Sequence, residues 1–519
     1  MAEVRWEATQ KEACLSESRT RTWDAVVVGA GPNGLAAAIR LAQAGRSVLV
    51  CEAAKTVGGG SRSAELTLPG FVHDICSAIH PLAVSSPFFA TMPLAKFGLE
   101  WVQPPAACAH PLDDGTAVVL ERSIDETAAG LGEQSSEGGA AGAPQVGGRE
   151  SRSDGAAYRR VMAPLVADWD RLRDDLLGPL RFPPHHPVAL ARFGLRGLRS
   201  AKAFAESTFA GRRGRALFAG VAAHSMLPLD RAGSAAFALV LMASGHSVGW
   251  PMARGGSQHI ADALAGYFLS LGGRIETGRR IDDIDQLPPA SVTLFDVTPR
   301  QLVSIAGTRL PARYRAALGR YRYGPAVFKL DWALDGPIPW TAVGCARAAT
   351  VHVGGELAEI TASEAAVWRG GVSDKPFVIV VQQSLFDPSR APQGKQTGWA
   401  YCHVPNGWRG NATEVIEAQI ERFAPGFCDL ILARHISTPA ALEAYDANYV
   451  GGDINGGVQD LRQLFMRPAA RWNPYSTPAD GILLCSSSTP PGGGVHGMCG
   501  YHAALTAIAA LEHRPAAAR

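Results

Sequence analysis

The segment that most constrains this chain lies near its N-terminus, where glycines punctuate two apolar runs. Asp24-Ala-Val-Val-Val-Gly29-Ala-Gly31-Pro-Asn-Gly34 is followed by Ser47-Val-Leu-Val-Cys-Glu52. Asp24–Val28 has the composition of a buried strand and Asn33–Ala44 that of a helix ended by Gly45, while Ser47–Glu52 reads as a second strand. Such a β-α-β unit predicts parallel strands with a right-handed crossover. Gly29 permits the tight turn after the strand, Gly31 lets backbone amides approach a pyrophosphate, and Gly34 lets the helix pack close to the sheet. The helix N-terminus adds unpaired N–H groups and a dipole that favours phosphate. Glu52 stands where an acid accepts hydrogen bonds from an adenosine ribose and would repel a 2′-phosphate. An α/β dinucleotide-binding unit is therefore expected.

Two further glycine clusters bear on which dinucleotide is bound. Gly58-Gly59-Gly60-Ser61-Arg62-Ser63 follows soon after the ribose acid, where a second glycine turn lets the chain run beside an extended FAD. Near the C-terminus, Thr489-Pro-Pro-Gly492-Gly493-Gly494-Val495-His496-Gly497 repeats the G-x-G-x-x-G spacing. The sequence ends at Arg519, too soon for another strand and its ribose acid. This cluster is instead read as a helix N-terminus aimed at the flavin end of the same cofactor, with backbone N–H groups stabilising the charge of reduced flavin.

The 519 residues suffice for two or three domains. A hydrophobic fraction of 47% and a charged fraction of 18% suit a large core. A formal net charge of +2 gives no argument for a nucleic-acid partner. The nine cysteines form no C-x-x-C pair, which argues against a disulfide framework or a zinc site and suits a reducing compartment. Residues 1–22 lack an apolar core and carry Glu3, Glu7, Glu12 and Glu17, unlike a secretory or transit signal. The longest apolar run, Ala235–Ala243, is too short to span a bilayer. A soluble, cytoplasmic protein is expected, with peripheral membrane contact left open.

Residues 128–156 are rich in glycine, alanine and serine and read as a flexible insertion with nothing to contribute to a core. Tyr158–Leu177 reads as one amphipathic helix and Ala201–Leu227 as another helical stretch, with Ile260–Leu271 a helix closed by Gly272-Gly273. Arg274–Ile281 and Ser291–Asp296 read as strands that return to the nucleotide unit. Ala326–Trp332, Phe377–Gln382 and Trp399–His403 look like a second sheet, and Gly481–Cys485 and His502–Leu511 like a closing strand and helix.

These motifs carry a family resemblance. Val26–Glu52, Gly58–Ser63, Leu68-Pro-Gly-Phe-Val-His-Asp74, Tyr449-Val-Gly-Gly-Asp-Ile454 and Leu484–Gly497 resemble the phytoene desaturase-like, amine-oxidase-type flavoproteins. The nearest likeness is to the branch called pyridine nucleotide-disulfide oxidoreductase domain-containing protein 2, and it extends from Trp23 to Leu511. The resemblance implies an α/β, Rossmann-like FAD-binding domain that is discontinuous (23–110, 251–300 and 441–519) with an inserted α+β substrate domain (111–250 and 301–440), after an N-terminal extension at 1–22. It implies that Gly29, Gly31, Gly34 and Glu52 bind the ADP half and that Gly59, Gly60, Ser61, Arg62 and Ser63 follow the pyrophosphate and ribityl chain. Ile281, at the end of its strand, would meet adenine, and Gly493, Gly494, Val495 and His496 would lie against the flavin ring. Two departures stand out. Ser486 and Ser487 replace an acid or glycine, and the insertion at 128–156 is long. The word "disulfide" in the branch name does not carry over, because Ser61 and Ser63 stand where a redox cysteine pair would be needed and Cys76 is alone.

Flavin dehydrogenation needs no protein nucleophile, and a base is useful only if a proton leaves with the hydride. His80, His224, His246, His496 and His502 are candidates; His496 ranks first for its place in the expected flavin loop, and a purely structural role is the stronger reading for each, least so for His496. Met226–Leu229 and Phe237–Met242 could line a pocket or be plain core. An apolar lining would suit a small lipid-like or isoprenoid-like substrate, with oxygen or a quinone accepting the electrons. Two other functions share this scaffold: a non-catalytic escort or GDP-dissociation-inhibitor-like protein, and a flavin-dependent isomerase.

Overall fold

A computed structural model describes residues 21–132 and 150–513. Two sheets organise it. The first is five-stranded and wholly parallel, built from β1 (Trp23–Val28), β2 (Val48–Cys51), β7 (Arg274–Glu276), β8 (Ala290–Phe295) and β14 (Ile482–Leu484) in the order β14-β8-β1-β2-β7. Its central strands are buried on both faces, which is why they read as unbroken apolar runs. Helix α1 (Pro32–Gln43) crosses from β1 to β2 and is covered by the last helix, α7 (Met498–Glu512). A Cβ on Gly500 would lie 1.7 Å from the Asn33 carbonyl oxygen, so only glycine lets α7 cross this close to α1.

The second sheet has seven strands: β5 (Ala106–Pro111), β6 (Ala117–Glu121), β9 (Ala326–Leu334), β10 (Ala348–Val353), β11 (Val378–Val381), β12 (Gln396–Val404) and β13 (Ile431–Ser437). Their order is β13-β9-β12-β11-β10-β5-β6, antiparallel except where β10 runs parallel to β5. One face packs on a helical layer that includes α2 (Glu150–Ala167), α4 (Arg212–Ala222) and α5 (Ser234–Val248). A short ribbon, β3 (Ser63–Glu65) with β4 (Val72–Asp74), links the halves. Asp74 there is fully buried and accepts from Ser257 N–H (2.8 Å), Ser63 Oγ (2.7 Å) and the Arg390 guanidinium, tying it to α6 (Gln258–Ser270) and to the loop before β12.

Several sequence expectations are revised. The expected boundary after residue 110 falls inside β5, which belongs to the second sheet. The helix expected over Tyr158–Leu177 starts earlier and breaks after Ala167, resuming at Trp169–Leu176. The stretch at Ala201–Leu227 holds two helices, Ala201–Thr208 and α4. Of the glycine-rich segment 128–156, residues 133–149 lie outside the described residues, but its ends do contribute to the core. Ala128 and Leu131 are buried in the helical layer, and Asp154 accepts from the N–H groups of Ala210 and Gly211. The strand expected to end at Ile281 stops at Glu276, because Gly278, at φ +68°, turns the chain away from the sheet.

Candidate functional site

The carboxyl ends of β1, β2 and β8 open onto a cavity of about 570 Å³, the place where ligands bind in open parallel sheets. Gly29, Gly31, Glu52, Arg62, Arg279 and Ile281 line it. Ile281 thus reaches the expected cavity from a loop and not from a strand. A second cavity, of about 300 Å³, runs from Gly31 past Gly59, Gly60 and Ser61 to Gly494 and Val495 and on beneath the second sheet. The two share Gly31, Gly59, Asp296, Asp446 and Asn448 on their walls. Together they form one groove joining all three glycine clusters.

At the first cluster, Gly29 sits at φ +104°, and a Cβ on Gly34 would lie 2.1 Å from the Gly29 carbonyl oxygen, so helix and strand touch backbone to backbone. The Gly34 N–H is not available to a phosphate, because it donates to Asp296 Oδ2 (2.8 Å). Glu52 sits at the end of β2 and braces the loop. Its carboxylate accepts from Ala30 N–H (2.7 Å), Ala54 N–H (2.8 Å) and Arg62 Nη2 (3.0 Å). Arg62 also donates to the Thr56 carbonyl (2.9 Å), so its guanidinium is held against the acid. Ser63 does not face the groove; its hydroxyl donates to Asp74 and accepts from Gln258 N–H (3.2 Å). Ser61 ends the short 3-10 turn Gly59–Ser61 ahead of β3 and stays on the cavity wall.

On the part of the wall beside the first two glycine clusters, two buried polar atoms lack protein partners, Ser61 Oγ and Asn33 Oδ1. Buried polar atoms are normally paired, so both mark a place for a ligand's donors or acceptors. Asp296, at the β8 tip where the cavities meet, was not singled out by sequence. Burial first, then the nearby acids Asp446 and Glu52, push its carboxyl up to about 7. Burial likewise raises Asp446, whose carboxylate accepts from Asn448 N–H (3.0 Å). The residues present fit an extended dinucleotide. Glycine backbone and unpaired polar atoms line the groove, and the carboxyls of Asp296 and Asp446 at the junction of the cavities hold protons more readily than ordinary acids.

At the C-terminal cluster Gly494 and Val495 face the groove, but Gly493 and His496 do not line it. A Cβ on Gly493 would press on the Asn455 carbonyl oxygen at 2.9 Å. The His496 ring is buried within its own loop, where Nδ1 accepts from Met498 N–H (3.0 Å) and Nε2 lies 3.2 Å from the Gly492 carbonyl. Both nitrogens are thus engaged by backbone, and burial lowers the ring to about 4. His496 shapes the turn into α7 and is not placed to take a proton from a substrate. Ser487 lies on the wall and its Oγ accepts from Asn33 Nδ2 (3.3 Å).

Beyond Val495 the groove ends in a chamber of Leu241, Trp250, Ile379, Val381, Trp399 and Tyr401. Of the two apolar stretches considered for the lining, only Leu241 reaches it; Leu229, Leu239 and Met242 are core. His80 and His224 are the histidines on the wall. His224 Nε2 lies 2.9 Å from His352 Nε2, and burial lowers His224 to about 3. His80 Nε2 pairs with Ser257 Oγ at 2.9 Å. His246 is engaged elsewhere, by Tyr158 Oη at 2.6 Å, and His502 stacks on Tyr475. The strands that deliver Trp399, Tyr401 and Thr350 alternate inward and outward. That period was visible, but the sequence could not say which face met a cofactor.

Residues 27–91 match the family model of the NAD(P)-binding Rossmann-like domain. Across 95% of its length the chain is 27% identical to pyridine nucleotide-disulfide oxidoreductase domain-containing protein 2 of Mus musculus, covering 94% of that protein. It is 26% identical to the neurosporene-forming phytoene desaturase of Rhodobacter capsulatus over 47% of this chain and 51% of that one. A redesigned putrescine oxidase superposes with a TM-score of 0.59 at 18% identity, covering 94% of this chain and 99% of that one. The expected resemblance holds. This chain is similar in sequence to the phytoene desaturase-like oxidoreductases and has the Rossmann-like fold of the amine-oxidase type.

Proposed function

We propose that the chain is an FAD-dependent oxidoreductase that takes a hydride from a small apolar substrate. The observation that carries this reading is the single groove running from Glu52 and Ile281, past Gly31 and Gly59, to Gly494, Val495 and an aromatic chamber. FAD, when bound, would supply the hydride acceptor. Gly29, Gly31 and the braced Glu52 would hold its adenosine end, and Ile281 would cover adenine. Gly59, Gly60, Ser61 and Asn33 would follow its middle. The N-terminus of α7, reached through Gly494 and Val495, would place backbone N–H groups and a helix dipole at the ring that gains negative charge.

The chamber acts by exclusion. Its tryptophans, tyrosine and branched aliphatics keep water from the reacting carbon and leave an apolar molecule in contact with the ring. His224 and His80 are held uncharged by burial, so they can orient a polar group on the substrate without placing a cation there. Oxygen or a quinone would take the electrons. The thiols stand free among the described residues, and none of the helices described is long and apolar enough to cross a membrane. A cytoplasmic location is part of the same proposal.

The test is anaerobic mixing of the flavin-loaded protein with panels of apolar alcohols, amines and alkenes. Bleaching near about 450 nm by an apolar class, lost on Trp399→Ala and Tyr401→Ala but not on His496→Asn, supports the assignment. Bleaching only by NADH or dithiols would contradict it.

A further inference from the structure

Most exposed large apolar side chains of the described residues are concentrated in two parts of the chain. Trp472 is 98% exposed, Phe182 95%, Leu195 80% and Val188 71%, with Leu180 and Met466 also open. They come from two stretches: residues 176–199, which include helix α3 (Pro187–Gly197), and residues 461–474. The stretches meet around a cavity of about 310 Å³ walled by Leu180, Leu190, Phe193, Leu464, Phe465 and Trp472. Burying Ala189, Phe193 and Gly197 against the core leaves Val188, Leu195 and Arg192 of α3 pointing outward. Solitary exposed apolar residues are ordinary, but Leu180, Leu198, Phe465 and Trp472, exposed together around one cavity, mark an interaction surface.

The charge pattern indicates the occupant. Residues 176–205 carry Arg181, Arg192, Arg196, Arg199 and Lys202 and no acid; residues 461–479 carry Arg462, Arg467 and Arg471 and no acid. Together these two stretches carry eight cations and no acid while the whole chain is only +2, so they hold a local excess that the rest of the molecule, at net −6, offsets only in part. Arg181, Arg199, Arg462 and Arg471 are exposed near the apolar side chains, while Arg192 is held by Asp168 Oδ2 (2.8 Å) and Asp175 is the one acid on the cavity wall. Aromatic and aliphatic tips ringed by arginines match a lipid surface, where rings enter the acyl boundary and guanidiniums meet anionic headgroups.

We propose that this face docks on the surface of an anionic lipid bilayer, with Phe182, Val188, Leu195 and Trp472 inserted and the arginines at headgroup level. The inference does not depend on the flavin assignment. It does suit an apolar substrate, because Pro490 and Pro491 on the wall of the surface cavity lead directly into the loop that presents Gly494 and Val495 to the chamber.

The probes are vesicles of phosphatidylcholine alone and of phosphatidylcholine with phosphatidylglycerol, mixed with the full chain. We expect the anionic vesicles to bind roughly tenfold or more tightly, and the difference to shrink at high salt. Phe182→Ser with Trp472→Ser, and separately Arg181→Glu with Arg462→Glu, should each lower binding about tenfold or more while the melting temperature stays put, since all four side chains are exposed. Trp472→Phe should remove the quenching of tryptophan emission by brominated lipids. Equal binding to both vesicle types, or binding unchanged by both double variants, overturns the proposal. So does a dimer that Phe182→Ser with Trp472→Ser dissociates and that does not bind vesicles, since the face would then be a contact between two copies.

Discussion

Asp296 concentrates the electrostatics of the site in one side chain. It is buried at the junction of the two cavities and accepts the Gly34 N–H. Its carboxyl titrates near pH 4 in an unfolded chain and near 7 in the fold. Between those values the folded state holds a proton that the unfolded state has lost, so stability falls as pH rises from about 4 to about 7 and levels off above. Asp296→Asn should remove this slope and gain up to about 4 kcal/mol at pH 8 over wild type, with little gain at pH 4. Denaturant titrations at both pH values check it. FAD phosphates would add negative charge beside this carboxyl. We therefore expect FAD affinity to fall between pH 6 and 8 in the wild type and to stay level in Asp296→Asn, as read by flavin fluorescence. Glu52→Ala acts differently. It strips the ribose acceptor and frees both Ala30 N–H and Arg62, so FAD affinity should drop about tenfold or more; unchanged affinity would count against the ribose role.

At the level of elements, the groove exists because backbones approach one another where a side chain would intervene. Gly34 lets α1 touch the β1 turn, and Gly500 lets α7 rest on the start of α1. Gly500→Ala would put a methyl group 1.7 Å from the Asn33 carbonyl oxygen, so α7 must shift. We expect a loss of roughly 1–3 kcal/mol and weaker flavin retention, because the same shift displaces the loop bearing Gly494 and Val495. Thermal melts with and without FAD measure both. The first contact was legible in the sequence, because Gly34 belongs to a motif with a strand before it and a helix after it. The second was not, because Gly500 lies in an ordinary helical pattern and its partner is more than four hundred residues away. His496 shows a related limit. Its neighbours Gly494 and Val495 do line the groove, but which side of the loop the His496 ring takes is set by Met498 N–H and the Gly492 carbonyl.

Across the whole molecule, two sheets enclose one path. The parallel sheet was readable from residues 24–52, since its strands are buried on both faces and its turns need glycine. The second sheet was readable as strands but not as a wall, because β5 and β6 join it from far upstream by a parallel pairing with β10. The chamber residues Thr350, Ile379, Trp399 and Tyr401 became visible only once that sheet was assembled over the groove. On the proposed function, one extended flavin dinucleotide would occupy the whole path. The most direct test of that claim is the FAD content of the purified or reconstituted full chain, read as absorbance near about 450 nm against protein concentration. One FAD per chain, displaced by neither NAD nor NADP, is the predicted result. A colourless protein that takes up no FAD, or one that binds NAD in its place, would contradict the account.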